Sequence, residues 1–387
     1  MERRNVGILG ATGAVGQRFI QLLADHPWFN ITWLAASDRS AGKPYAEACA
    51  WRLDTPLPER IAQMVLQPNL PEAFTPDQHA AQLPRIIFSS IDAPIAKELE
   101  PKFAAAGCAV ISNSSAFRMA SDVPLVVPEV NVDHFEVLES QPTRKTSGGF
   151  LVTNPNCCAI GLVLPLAPLQ QRFGIEKLFV STMQAVSGAG YPGVPSLDIL
   201  GNVIPFIKNE EEKLQEEVAK LLGTVHFDST GATGFEPAPL TVSAMCNRVA
   251  VLEGHTECVS VKLKHPTTEA QILSAWRDFQ PLSGKGHEGL HLPSAPLQPI
   301  EYDAGIARPQ PRLDLMRGNG MATTVGRLRP CTLFDWKFTL LSHNTIRGAA
   351  GAAILNAEIL AVLGKFDFRK FPPVNSTRTE AEALVPA

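Results

Sequence analysis

The chain has 387 residues, 45% of them hydrophobic, with a mean hydropathy of +0.03, a formal charge of -4 and a pI near 6.2. That length supports two hydrophobic cores, and the slight acidity speaks against nucleic acid as a partner, because polyanion-binding proteins carry a basic excess. No run of about 18 apolar residues offers a membrane span. The apolar run Val6–Leu9 is too short for a signal peptide, and seven cysteines without a CxxC pair fit a reducing compartment, so a cytoplasmic location is expected.

In chain order, Val6–Leu9 reads as a short buried strand, Val15–Leu23 as an apolar-periodic helix and Ile31–Ala36 as a second strand. Trp51–Pro84, rich in Pro and Gln, reads as a variable connection. Arg85–Ser89, a helix over Ile95–Ala106 and the strand Ala109–Ser112 resume the alternation. Alternation of this kind predicts a parallel sheet flanked by helices, an α/β Rossmann-type dinucleotide-binding domain. After Phe150–Thr153 comes the turn Asn154-Pro155-Asn156, then an apolar run to Phe173 in which Pro165 and Pro168 predict a kink or an early stop. Strands over Leu178–Gln184, Glu257–Leu263, Thr323–Arg329 and Leu333–Leu341, with helices over Glu210–Leu222 and Thr268–Phe279, predict an α+β domain with a mostly antiparallel sheet. Asn344–Leu363 reads as a packed helix, and Thr377–Ala387 as a loose tail.

The chemistry begins at Gly10-Ala11-Thr12-Gly13-Ala14-Val15-Gly16, set between a strand and a helix. Glycines there permit a tight turn, let backbone approach a pyrophosphate and present a helix N-terminus to its charge. The end of the second strand should meet the adenosine ribose. Ser37, Arg39, Ser40 and Lys43 suit the 2′-phosphate of NADP, while Asp38 suits the free hydroxyl of NAD, so both cofactors stay open with NADP favoured.

Cys157 falls where a helix should start, and helix N–H groups and the helix dipole lower a thiol's pKa. Near a nicotinamide such a thiolate can hold a carbonyl carbon as a thiohemiacetal and then a thioester. Cys158, rotated off that face, is expected to pack. His255, beside Gly254 at a strand start, can take the thiol proton and return it. His255 and Cys258 have no second pair with zinc spacing, so no metal is expected and Cys258 is read as a buried thiol. His26, His79, His134 and His287 are read as ordinary polar residues.

Taken with Asn113-Ser-Ser-Ala-Phe-Arg118, Gln184-Ala-Val-Ser187-Gly188-Ala-Gly, Asn247-Arg248-Val, Gly254-His255-Thr-Glu and Ser342-His-Asn344-Thr-Ile-Arg-Gly, these motifs resemble the aspartate-β-semialdehyde dehydrogenase family, closest to its archaeal and fungal branch. The resemblance spans nearly the whole chain. It implies NADP as cofactor and reductive dephosphorylation of L-aspartyl-4-phosphate to L-aspartate-4-semialdehyde, in biosynthesis of the aspartate-derived amino acids. Cys157 would be the acyl-forming nucleophile, His255 the acid/base and Gln184 the residue orienting the thioacyl group. Arg248 would clamp the substrate carboxylate, Glu210 its ammonium, and Arg118 with Lys213 the phosphate. Ser89, Ser90, Asn113, Ser187, Gly188 and Asn344 would join the glycine loop in lining the cofactor, Asn344 at the nicotinamide end. Residues 1–153 with 344–387 would form the nucleotide domain and 154–343 the catalytic and oligomerisation domain of a homodimer or homotetramer. Cys158 and Asp38 depart from the family pattern. The rival readings are a malonyl-CoA reductase, an N-acetyl-γ-glutamyl-phosphate reductase and a non-catalytic NADP-binding sensor.

Overall fold

A computed structural model describes residues 3–71, 84–281 and 291–368, so His79, His287 and the tail from 369 onward lie outside the described residues. The chain forms two compact units, one from Met1–Phe117, Leu138–Val152 and the residues from Leu360 on, the other from Arg118–Val137 and Thr153–Ile359.

The first unit holds a six-stranded sheet of β1 (Arg4–Leu9), β2 (Phe29–Ala36), β3 (Gln67–Pro68), β4 (Ile86–Ser89), β5 (Ala109–Ser112) and β6 (Phe150–Thr153). Its order is β3-β2-β1-β4-β5-β6, and β1 runs parallel to both β2 and β4. The strand order reverses at β1, where an open α/β sheet binds its ligand. The helix Ala14–Leu23 buries Phe19, Ile20 and Leu23, and Phe19 stacks on Phe88 of β4 with ring centroids 4.9 Å apart.

In the second unit a seven-stranded sheet runs in the order β13-β14-β15-β12-β7-β11-β8. The ranges are β7 Ile175–Gln184, β8 Val203–Ile204, β11 Thr241–Val249, β12 His255–Leu263, β13 Ile300–Asp303, β14 Thr323–Pro330 and β15 Trp336–Ser342, with a separate hairpin of β9 (Thr224–Asp228) and β10 (Gly231–Glu236). β7 with β11 and β13 with β14 are parallel, and the remaining pairings of the sheet are antiparallel. Period-two alternation buries Leu178, Val180, Thr182 and Gln184 of β7 while Lys177 and Met183 stay exposed. Arg248 and Cys246 of β11 lie beside Gln184 and Thr182 on that buried face.

Three expectations are corrected. Pro165 and Pro168 neither stop nor split the helix, which runs unbroken from Cys157 to Phe173. Each proline costs a helix interior about 3 kcal/mol, but Ile160, Leu162, Val163, Leu164, Leu166 and Leu169 are all fully buried, and each such side chain returns about 1.5–3 kcal/mol. The segment from Asn344 opens instead with a π-helical turn, Ile346–Ala350, before the α-helix Gly351–Val362. The units also divide the chain elsewhere than at 153 and 344. Arg118–Val137 joins the second unit because Lys220 donates to the carbonyls of Arg118, Ala120 and Val123, and Arg347 forms a buried two-pronged pair with Glu129. The segment after Asn344 joins it because Gly348 packs on Cys157, where any Cβ would come within 2.7 Å of the Cys157 Cβ.

Candidate active site

Cys157 is the first residue of its helix, as expected from Asn-Pro-Asn. Asn156 caps that helix, its Oδ1 accepting from the N–H groups of Cys158 at 2.8 Å and Ala159 at 3.3 Å. Its Nδ2 donates to Glu210 Oε1 at 2.7 Å, and its backbone N–H donates to Glu217 Oε2 at 2.5 Å. The loop before Cys157 is thus fixed from two points of the Glu210–Leu221 helix.

His255 opens β12 with its ring fully buried. Nδ1 accepts from the Ala185 N–H at 3.1 Å, which leaves the ring proton on Nε2, 3.2 Å from Cys157 Sγ. The sequence suggested a group that takes the thiol proton; the hydrogen bonding makes His255 a donor toward sulfur. The neighbouring Cys158 thiol, joined by His255 and Arg118, holds the Cys157 thiol well below the usual range against the opposing effect of burial. Cys158 is pushed the other way, by burial first and then by the adjacent Cys157 sulfur. Cys158 packs in the core, as expected.

Around this pair, Gln184 Nε2 donates to Glu210 Oε1 at 3.2 Å and Thr182 Oγ1 at 3.3 Å. Arg248 Nη1 donates to the Ala185 carbonyl at 2.8 Å. Gly188 closes over both groups: a Cβ there would lie 2.9 Å from Arg248 Nη1 and 3.1 Å from the His255 ring. Asn344 accepts from the Gly254 N–H and donates to Ser187 Oγ, each at 2.8 Å. Its amide therefore joins the start of the His255 strand to the Ser187 loop, a use beyond the cofactor contact expected of it.

Arg118 is buried against Glu217, with Nη1 2.9 Å from Oε1. Lys213, one third exposed, stands four residues before Glu217 on the same helix and so shares a face with the acid that holds Arg118. Glu210 is buried, with Oε1 taken by Asn156 and Gln184 and Oε2 3.9 Å from Lys213. Three histidine-related readings change. His26 and His134 are buried, His26 stacked on Phe29 and His134 beside Asn131, and Cys258 is exposed because it points away from His255 across the strand. Sequence reasoning missed Glu217, Lys220 and Glu257, all buried.

In the first unit, Gly10 has φ +73, a region that favours glycine, and Ser90 Oγ donates to the Leu9 carbonyl at 3.0 Å. The helix N-cap is the exposed Gly13, without a side-chain cap and without an acid in the first turn. The N–H groups of Ala14, Val15 and Gly16 are thus presented to an anion. Ser37, Asp38, Arg39 and Lys43 are exposed beyond β2, with Ser40 half-buried. Ser89 ends β4 and Asn113 follows β5, at the same ends of their parallel strands. Glycine turn, open helix start and basic loop fit a phosphorylated dinucleotide.

The semialdehyde dehydrogenase NAD-binding domain family matches residues 5–138, and the semialdehyde dehydrogenase dimerisation domain family matches residues 166–347. The chain belongs to the aspartate-semialdehyde dehydrogenase family. It is 48% identical over 92% of its length to the aspartate-semialdehyde dehydrogenase of Archaeoglobus fulgidus, covering 98% of that protein. It is 46% identical over 94% of its length to that of Schizosaccharomyces pombe, covering 99% of it. The crystal structure of the Candida albicans enzyme with NADP matches 93% of the chain and 99% of its own, at 43% identity and a TM-score of 0.82. The expected α/β fold, a nucleotide-binding domain with a second domain on a mostly antiparallel sheet, agrees with these relatives, the second sheet being mixed with two parallel pairings. Among the described residues no helix is long and apolar enough to cross a membrane.

Proposed function

We propose that this chain is a cytoplasmic, NADP-dependent aspartate-β-semialdehyde dehydrogenase that reduces L-aspartyl-4-phosphate to L-aspartate-4-semialdehyde through a thioester on Cys157. The observation that carries the reading is the Cys157 Sγ at a capped helix start, 3.2 Å from a His255 Nε2 that holds the ring proton. The thiolate attacks the acyl carbon, and Nε2–H of His255 supports the oxyanion while the C–O bond to phosphate breaks. The departing phosphate takes its proton from solvent. NADPH, which the Gly10–Gly16 turn and the loop with Ser37, Arg39, Ser40 and Lys43 would hold, would supply the hydride that turns the thioester carbon into a hemithioacetal oxyanion. That oxyanion collapses to the aldehyde, the C–S bond breaks, and the thiolate returns to its hydrogen bond from His255. The cycle closes without a net proton change at His255.

Arg248 holds the substrate carboxylate, Glu210 meets the ammonium through Oε2, Arg118 and Lys213 hold the phosphate, and Gln184 orients the acyl group. The donor set Ser37, Arg39, Ser40 and Lys43 supports NADP over NAD. The nucleotide is held by the first unit and the substrate by the second, in a homodimer or homotetramer. The deciding assay is turnover of the semialdehyde with NADP and phosphate, beside the same mixture with CoA. Phosphate-dependent reduction of NADP is expected. Activity with CoA or malonyl-CoA alone would select a CoA-thioester reductase, and no activity in either mixture would select a sensor.

A further inference from the structure

β12 carries a second ionisable side chain on the face that holds His255. Glu257 lies two residues on, so both point to one side of the sheet; its cross-strand neighbours are Thr182 of β7 and Leu340 of β15. Glu257 is fully buried, and among the described residues neither carboxyl oxygen has a hydrogen-bond partner. Ser342, paired with His255 across the strands, is buried with its hydroxyl in the same condition. Both face the Cys157–Phe173 helix at Gly161, where an added Cβ would collide with Ser342 Oγ and come within 3.6 Å of Glu257 Oε1. Gly161 is four residues past Cys157, hence on the same helix face. Glu257 therefore stands behind the nucleophile.

The titratable groups near this carboxyl are Cys157 and Cys158 on the helix, Glu210 on the Glu210–Leu221 helix and Cys246 on β11, with His255 two residues back on its own strand. None is a cation. Two anions side by side in a dry pocket do not persist together. The sulfur has a helix N-terminus, the His255 Nε2–H and the charge of Arg118 in its favour, and the carboxyl has no donor.

We propose that Glu257 is a positioning residue for the Cys157 thiolate, a neutral carboxylic acid whose retained proton leaves the sulfur as the charged partner of the two. Burial first, then the charges of Cys157 and Glu210, push the Glu257 carboxyl well above the ordinary range, in agreement with the geometry. The inference rests on Cys157 as nucleophile and is independent of which acyl substrate it meets. Ionising Glu257 at alkaline pH makes the sulfur more basic and therefore more nucleophilic. Acylating or alkylating the sulfur removes the neighbouring charge that Glu257 feels.

The test is alkylation of Cys157 by iodoacetamide in the full chain, measured by mass spectrometry across pH for wild type and Glu257→Gln. Wild type should reach a plateau as the thiolate forms and then rise again at higher pH. The second rise is about threefold for each pKa unit that ionised Glu257 adds to the sulfur's basicity. The glutamine variant, neutral at every pH, should keep the first step and lose the second. An infrared difference spectrum of wild type on alkylation should show the carbonyl band of an un-ionised carboxyl group move, a readout that does not depend on the variant folding. A second rise that persists in Glu257→Gln, or no such band moving in wild type, overturns the inference while leaving the cysteine mechanism standing. Failure of Cys157 to alkylate at all would overturn both.

Discussion

Glu217→Gln is the substitution that probes the second unit's site most directly. The residue is 1% exposed, with Oε1 accepting from Arg118 Nη1 at 2.9 Å and Oε2 from the Asn156 backbone N–H at 2.5 Å. Glutamine keeps the shape but replaces one acceptor with an amide NH2. Whichever way the amide turns, a donor then faces either the guanidinium or the N–H of the residue that caps the Cys157 helix. Losing one partner of a buried ion pair costs about 3–5 kcal/mol; with one acceptor retained, the lower end, about 3 kcal/mol, is expected. For a unit of this size that lowers Tm by about 6–12 °C. Arg118 released from Glu217 is no longer held in place for the phosphate contact proposed for it. A lost charge-assisted contact of at least about 1.5 kcal/mol raises KM for phosphate in the oxidative direction about tenfold or more. Calorimetry and phosphate saturation at fixed semialdehyde and NADP measure the two effects. A variant with wild-type Tm and wild-type phosphate KM would refute the reasoning, because it would mean that Glu217 organises neither Arg118 nor the loop.

Cys157→Ala should abolish turnover and leave NADPH binding intact by fluorescence titration, whereas Cys158→Ala should keep turnover but shift Cys157 alkylation to higher pH, since the neighbouring thiol helps to hold the Cys157 thiol low. Arg248→Lys should reduce kcat/KM severely despite keeping the charge, because one ammonium cannot both hold the Ala185 carbonyl and grip a carboxylate in a planar fork; near-normal kinetics would remove the carboxylate from Arg248. Arg39→Ala should weaken NADPH binding by about one to two orders of magnitude and barely change NADH; equal effects on both would point to Asp38 setting the choice. Burial lowers Lys220 to about 8 from 10.5, so the folded chain holds this proton less tightly than the unfolded one. Its burial then costs stability below about 8, and the cost fades as pH rises toward 10.5. Urea midpoints of wild type should accordingly gain on Lys220→Met across that window, and a pH-independent gap would contradict the buried charge.

The first unit was largely legible because its signals are local. A strand, a glycine turn and an amphipathic helix within Arg4–Leu23 declare themselves by period and by Gly10, Gly13 and Gly16. The second unit was less so. β11 was not foreseen, although Val242, Ala244, Cys246 and Arg248 alternate with more polar positions, because an arginine at a buried strand position defeats a pattern read from apolar residues alone. The prolines at 165 and 168 misled for the opposite reason. Their local cost is real, but the helix is enclosed on all sides, and tertiary burial outweighs it.

The reactive residues Cys157 and His255 could be named from type and position, but what holds them could not, since it comes from a helix more than fifty residues away in sequence. The signal was nonetheless present. Glu210, Leu214, Glu217 and Leu221 recur at three- and four-residue intervals, the spacing of one helix face, and two acids there stand where a core-facing stripe calls for leucine. Acids on a buried stripe require partners, because an unpaired buried carboxylate is too costly to keep. Glu210 finds Asn156 and Gln184, and Glu217 finds Arg118 and the Asn156 backbone. The same two acids therefore set the cap of the Cys157 helix, the orientation of Gln184 and the position of Arg118. Lys213 rides on that helix between them. A single amphipathic helix with its acids on the wrong side thus ties the thiolate to the cations proposed for the phosphate, so a change that moves the helix should disturb acyl transfer and phosphate binding together.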